Sequence, residues 1–175
     1  MRPRFLFLLY MVLGCLLAGC QHEAPAKVEF QMGERVPTGP LTYNVIDSSW
    51  RPQLGDALTL RVPQHRFLLL TLSVTNSGRD DVSIPLFSIE NESGQSFTEL
   101  DKGDGIDNWF GLLRTVGPAQ TQQGRIVFDA PLTSYKLRVT DGGEPGAEKF
   151  TYVAIPLRMD VDTDVVAPSI SLPGH

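Results

Sequence analysis

Cysteine is nearly missing from this chain. Among 175 residues there are two, Cys15 and Cys20. Both fall at the N-terminal end, so everything that follows can form no disulfide and offers no thiolate to a metal or a nucleophilic mechanism. Histidine is scarce as well: His22, His65 and His175 are spread along the chain, too far apart in sequence to suggest the clustered imidazoles of a zinc or copper site. No run of roughly 20 apolar residues, the length a membrane-spanning helix needs, opens the chain; its uncharged stretch, residues 5–19, has 15. Basic residues are outnumbered, 15 against 20 acidic. That balance argues against nucleic acid and against a polybasic grip on anionic lipid. The nucleophile motifs G-x-S-x-G and S-x-x-K are absent too. With them goes the simplest case for an acyl-transfer enzyme, and a Ser–His pair within the domain would have to use His65, which reads as a lone surface histidine.

What is present begins with Arg2 and Arg4, followed by the short apolar stretch and small residues at its end. Together these describe a secretory signal. Leu17-Ala18-Gly19-Cys20 resembles the lipobox of bacterial lipoproteins, in which a peptidase cuts before a cysteine that already bears diacylglycerol. The resemblance implies cleavage after Gly19, diacylglycerol and N-acyl lipid on Cys20, and no other cofactor. Two or more chains anchor stably where one is marginal, each buried CH₂ contributing about 0.8 kcal/mol. Cleavage would remove Arg2 and Arg4, leaving 13 basic against 20 acidic residues and a net charge of −7. The polar stretch 21–27 reads as a tether reaching about 25 Å at ~3.5 Å per residue. Gln21 is not the aspartate that resembles an inner-membrane retention signal. The expected site is therefore the outer membrane facing the periplasm in an envelope with two membranes, and otherwise the outer face of the cytoplasmic membrane.

The remainder alternates in the manner of half-buried strands. Leu41, Tyr43 and Val45 alternate with polar residues, and Leu68, Leu70, Leu72 and Val74 form the clearest strand. Val82, Ile84 and Leu86 follow, then Phe87 and Ile89, Ile126 and Phe128, Tyr135, Leu137 and Val139, and Phe150, Tyr152 and Ala154. Turn chemistry punctuates them at Asn76-Ser77-Gly78, Glu92-Ser93-Gly94, Asp141-Gly142-Gly143 and Pro145-Gly146. About seven short strands so separated predict an all-β fold, an antiparallel sandwich. Residues 104–116 break the pattern: Trp109, Phe110, Leu112, Leu113 and Val116 are spaced closer to helical, and Asp107 is a candidate cap. This segment is expected to fold over one end or edge of the sandwich.

Several blocks carry a family resemblance: Gly33-Glu34-Arg35-Val36, Leu41-Thr42-Tyr43-Asn44-Val45, the stretch from Arg66 to Gly78 (RFLLLTLSVTNSG), Phe87 to Gly94 (FSIENESG), and Gly124 to Pro131 (GRIVFDAP). The chain resembles, over residues 33–157, an uncharacterised extracytoplasmic bacterial domain family with an immunoglobulin-like sandwich, common in secreted proteins and lipoproteins. One departure is Gly117-Pro118, where the family has Pro-Gly. The resemblance implies a fold and an extracytoplasmic setting and carries no catalytic residue. The expected organisation is a signal peptide at 1–19, lipidated cysteine and tether at 20–27, an immunoglobulin-like antiparallel β-sandwich at 28–157, and an acidic, proline-containing tail or edge strand at 158–175.

Two kinds of candidate site remain. Asp101, Asp104 and Asp107 share a glycine-containing loop, and hard oxygen ligands on a flexible loop suit Ca²⁺; the plainer reading is a solvated turn. Asp160, Asp162 and Asp164 would share one face of an extended segment, where charge deters edge-to-edge pairing. Trp50, Trp109 and Phe110 are candidate contacts for a partner, because aromatic residues are enriched at interface hot spots; alternatively they cap the core. The expected role is that of a membrane-anchored, non-catalytic binding or assembly domain, possessing no enzymatic activity, with another envelope protein as partner. A Ca²⁺-stabilised domain and an envelope hydrolase with an unrecognised site are the alternatives.

Overall fold

The computed structural model describes residues 29–144 and 146–158. Cys20, the signal and tether, His22, Asp160, Asp162, Asp164 and His175 lie outside the described residues.

Alternation becomes strands where predicted and in more pieces than predicted. In chain order they are β1 (Glu29–Gln31), β2 (Val36–Thr38), β3 (Leu41–Arg51), β4 (Arg66–Asn76), β5 (Val82–Ser83), β6 (Ser88–Glu90), β7 (Ser96–Thr98), β8 (Thr115–Val116), β9 (Thr121–Ala130), β10 (Tyr135–Thr140) and β11 (Phe150–Ile155). One sheet has the order β2-β3-β4-β9, the facing sheet β1-β11-β10-β6-β7, and β5 pairs with β8 in a small ribbon. Neighbours are antiparallel except β1, which runs parallel to β11. The topology is the immunoglobulin Greek key: β3, β4 and β9 take the places of strands A, B and E, and β7, β6, β10 and β11 those of C′, C, F and G.

The inner faces of both sheets supply one apolar core, including Leu41, Tyr43, Leu68, Leu70, Leu72, Ile126, Phe128, Leu137 and Val153. Leu68, Leu70, Leu72 and Val74 of β4 point inward, and from Leu70 onward buried and half-buried positions alternate. At the start of β10 the Tyr135 hydroxyl donates to the Pro131 carbonyl at 2.7 Å, the tyrosine corner of the immunoglobulin fold. Two residues on, where antibody domains have cysteine, stands the fully buried Leu137. The staple is replaced by hydrocarbon, as the scarcity of cysteine requires.

Three expectations need correcting. The apolar triplet Val82, Ile84, Leu86 yields only the two-residue β5, and Leu86 is exposed. In β11 the core-facing set is Thr151, Val153 and Ile155, because β11 pairs with β10 so that Val153 lies opposite Leu137; Phe150 faces solvent. No helix forms over residues 104–116. Gly105, Asn108 and Gly111 all take positive φ, of 75°, 54° and 75°, which interrupts any helical run.

Candidate functional site

The β2-β3-β4-β9 sheet carries a second layer on its outer face. Phe67 and Leu69 point outward from β4 and Val127 from β9; with Leu54 and Ile106 they form a separate apolar cluster against which Leu100 and Trp109 pack. The strand β4 is thus buried on both faces. Two connections supply the cover, residues 52–65 and residues 99–114. The first folds back on itself, Leu54 and Arg61 exchanging backbone hydrogen bonds at 3.0 and 2.8 Å. The Arg61 guanidinium then donates to the carbonyls of Lys102 and Asp104 at 3.0 and 2.9 Å and lies over the Phe67 ring. A Cβ at Gly105 would stand 2.4 Å from the Gly55 nitrogen, so only glycine lets the connections touch there.

The same excursion closes the free edge of β9. Arg125 donates its backbone N–H to Asn108 O at 2.8 Å and accepts from Phe110 N at 2.9 Å, while Leu100 N donates to Val127 O at 2.8 Å. Covering an edge in this way removes a template for unwanted pairing.

The aromatic candidates all serve as packing groups. Trp109 covers the outer cluster, its ring so close to Gly103 that a Cβ there would lie 2.1 Å away. Phe110 reaches the main core through the space left by Gly124, where a Cβ would meet its ring at 2.3 Å. Trp50 packs against the main core with its ring 6.2 Å from that of Tyr135. A bulge between Val45 and Asp47 accounts for its direction: odd-numbered residues face the core before the bulge, even-numbered ones after it. Asp101, Asp104 and Asp107 are not brought together; among the described residues no three His, Cys, Asp or Glu side chains form a group that could hold a metal. His65 is exposed, its backbone N–H and that of Gln64 donating to the Asp129 carboxylate at 2.9 and 2.6 Å.

Sequence reasoning missed a buried ion pair. Arg114 and Glu99 are both almost wholly buried. Glu99 accepts from Arg114 Nη1 at 3.1 Å, from Arg114 Nη2, and from the Phe87 N–H at 3.0 Å. Arg114 Nη2 also donates to the Pro85 carbonyl at 3.0 Å, and its guanidinium lies between the rings of Phe87 and Phe110 at 4.9 and 5.2 Å. The one signal in the sequence is an arginine set inside Leu112-Leu113-Arg114-Thr115-Val116.

On the opposite side of the molecule, the outward face of β1, β11, β10 and β6 is polar and internally paired. Lys136 meets Glu29 at 2.5 Å, Arg138 meets Glu148 at 2.8 Å over the Phe150 ring, and the Tyr152 hydroxyl donates to Glu90 at 3.0 Å. Burial, then the bond to Glu90, raises the Tyr152 hydroxyl above the ordinary tyrosine range. Three exposed apolar side chains come together in the β3–β4 connection, apart from single ones such as Leu113 and Leu86 elsewhere. There Leu58, Leu60 and Val62 are 95, 51 and 72% exposed, while the Thr59 hydroxyl donates to Asp56 and Arg61 to the Lys102 carbonyl.

Solved structures share this arrangement at low identity. The yjhA protein of Bacillus subtilis superposes with a TM-score of 0.55 at 15% identity, over 72% of this chain and 98% of that one. MPT63, a secreted protein of Mycobacterium tuberculosis, gives 0.50 at 15% identity, over 76% and 99%. A Bacillus subtilis "putative lipoprotein (ycdA)" gives 0.50 at 13% identity; the match covers 69% of this chain and 38% of ycdA. Among curated proteins no match is found. The sequence profile of one family, described as a domain of unknown function, matches residues 30–149, in agreement with the span over which the chain resembles an uncharacterised immunoglobulin-like family. The chain therefore belongs to the DUF4352 family.

Proposed function

We propose that this protein is a lipid-anchored, non-catalytic binding module of the bacterial envelope, which holds another envelope protein through the tip of its β3–β4 connection. The observation that carries the reading is the exposure of Leu58, Leu60 and Val62 together on a segment whose backbone is held by the Leu54–Arg61 pairing. Ordered apolar side chains set out in this way mark contact surfaces. A secreted protein and a described lipoprotein among the structural neighbours support the setting, as does the lipobox ending at Cys20.

The strand directions support one orientation of the stripe. Since β1 runs parallel to β11, its N-terminal end lies at the pole that carries the β4–β5 and β10–β11 connections. The β3–β4 connection is at the other pole, one 11-residue strand away, or about 35 Å. The tether of residues 21–27 reaches about 25 Å. Lipid on Cys20 therefore holds the first pole toward the bilayer, and the stripe faces away from it, toward a protein rather than the anchoring membrane.

Cys20→Ser is expected to move the protein out of the membrane fraction, or to leave it uncleaved. With Cys20 intact, Leu58→Glu/Leu60→Glu is expected to abolish a discrete crosslinked product formed in intact envelopes while leaving the thermal melt unchanged. Mature Cys20→Ser protein in the membrane fraction would remove the anchor from the reading, and an unchanged crosslinking pattern would remove the contact surface.

A further inference from the structure

The β-bulge at Ile46 does more than turn Trp50 inward. It turns Asp47, Ser49 and Arg51 outward, and all three line one cleft of about 190 Å³ on the outer face of the β2-β3-β4-β9 sheet. Thr71 and Leu69 of β4 and Arg125 of β9 also line it, together with Leu54, Ile106 and Asp107 of the covering connections. Bulges that re-aim side chains are a recurrent device beside binding sites. The covering segment is itself held in an unusual conformation: Asn108, next to Asp107, has φ of 54°, and its carbonyl accepts the Arg125 N–H. A non-glycine residue in the left-handed region carries strain that persists only where its surroundings impose it.

The cleft differs from the polar face across the molecule in how its charges are used. There Lys136 and Glu29, and Arg138 and Glu148, neutralise one another. In the cleft, two carboxylates and two guanidiniums line the same hollow, and among the described residues none of the four side chains makes a hydrogen bond or ion pair within the chain. Asp47, Thr71 and Arg125 stand in one cross-strand row. The outer two are thus two strand spacings apart, about 9–10 Å between backbones. A ligand with charges of both signs a few ångströms apart can satisfy both ends at once. The hollow has room for about six waters at ~30 Å³ each.

The geometry points to a binding site for a small zwitterion of amino-acid or dipeptide size. Its carboxylate is received by Arg125 and Arg51 in the bidentate manner that guanidinium favours, its ammonium by Asp47 and Asp107, and Ser49 and Thr71 supply hydroxyls to its polar middle. This site is separate from the Leu58 stripe and does not depend on the partner proposed there.

Isothermal titration calorimetry of the purified full chain in detergent tests the site with L-alanyl-L-alanine as probe. Acetate and methylammonium serve as single-charge comparisons, and Lys136→Met as a variant outside the site. Saturable heat is expected with the dipeptide in the millimolar range or tighter, with at least tenfold weaker binding of either single-charge probe. Arg125→Met and Asp107→Asn are each expected to weaken dipeptide binding at least tenfold, and Lys136→Met to leave it unchanged. Among the described residues both side chains are free of partners, so circular dichroism melts should show folded variants; Asp47→Asn replaces either that does not fold. Absence of saturable heat at millimolar dipeptide, equal binding of acetate, or undiminished binding by the folded variants would overturn the assignment.

Discussion

Glu99→Ala is expected to lower the stability of the domain by about 3–5 kcal/mol, the range seen when one partner of a buried ion pair is removed. The Arg114 guanidinium would remain packed between Phe87 and Phe110 without its countercharge, and the Phe87 N–H would lose its acceptor. Position matters as much as charge. Residues 99 and 114 are the two ends of the excursion that covers the outer face and the edge of β9. Each is also pinned through its backbone, Glu99 N to Phe87 O at 3.0 Å and Ile84 N to Arg114 O at 2.9 Å. The ion pair therefore closes the base of a loop whose tip holds Trp109. Urea unfolding should show a lower midpoint. In the double variant Glu99→Leu/Arg114→Met the loss should fall short of the sum of the single losses, because the uncompensated charge is gone. A midpoint for Glu99→Ala within error of the unsubstituted protein would mean that water replaces the carboxylate and that the base is held by backbone bonds alone.

The sandwich was legible because β3, β9 and β10 keep alternation over much of their length, and Leu137, Phe128 and Tyr43 sit where the alternation puts them. Legibility ended where a third layer was added. Phe67, Leu69 and Val127 occupy positions that an exposed strand face would give to polar residues, and nothing local says what will cover them. The cover comes from segments whose positive-φ residues defeat both the helical and the extended period, so residues 104–116 read as helix when they are turns, one edge bridge at Trp109 and the short β8. A single-residue bulge is equally silent. Ile46 looks like one more apolar residue, yet it reverses the phase of everything after it in β3, sending Trp50 into the core and Asp47 and Arg51 into the cleft. Trp109 and Phe110 were visible as aromatics; that Gly103 and Gly124 exist to receive them was not, because those contacts span 6 and 14 positions and show only in space.

Asn76→Ala is the second substitution expected to be severe, at about 3–4 kcal/mol. The side chain is fully buried at the pole opposite the Leu58 stripe. Its amide nitrogen donates to Asp80 O at 2.7 Å and Val116 O at 2.8 Å, and its amide oxygen accepts from Gly78 N at 2.8 Å. Its own backbone holds the β8–β9 turn, donating to Gln120 O and accepting from Ala119 N, both at 2.9 Å. One residue thus ties two turns to the end of β4, which is why a long apolar strand stops in an asparagine. Alanine keeps the backbone bonds and deletes the other three, and each buried group left without a partner costs about 1–3 kcal/mol, not additively. The replacement that separates this account from simple loss of volume is Asn76→Asp. Aspartate has nearly the same shape, and one oxygen can still accept from Gly78, but the other would face the carbonyls of Asp80 and Val116 with no proton to give at neutral pH. Asn76→Asp should therefore be at least as damaging as alanine, with melting lowered by about 10 °C or more in either case. It should recover part of that loss as the pH falls and the carboxyl becomes a donor. An aspartate variant that melts with the unsubstituted protein at neutral pH would show that the two carbonyls are satisfied by water, and that the strand ends there for its backbone bonds alone.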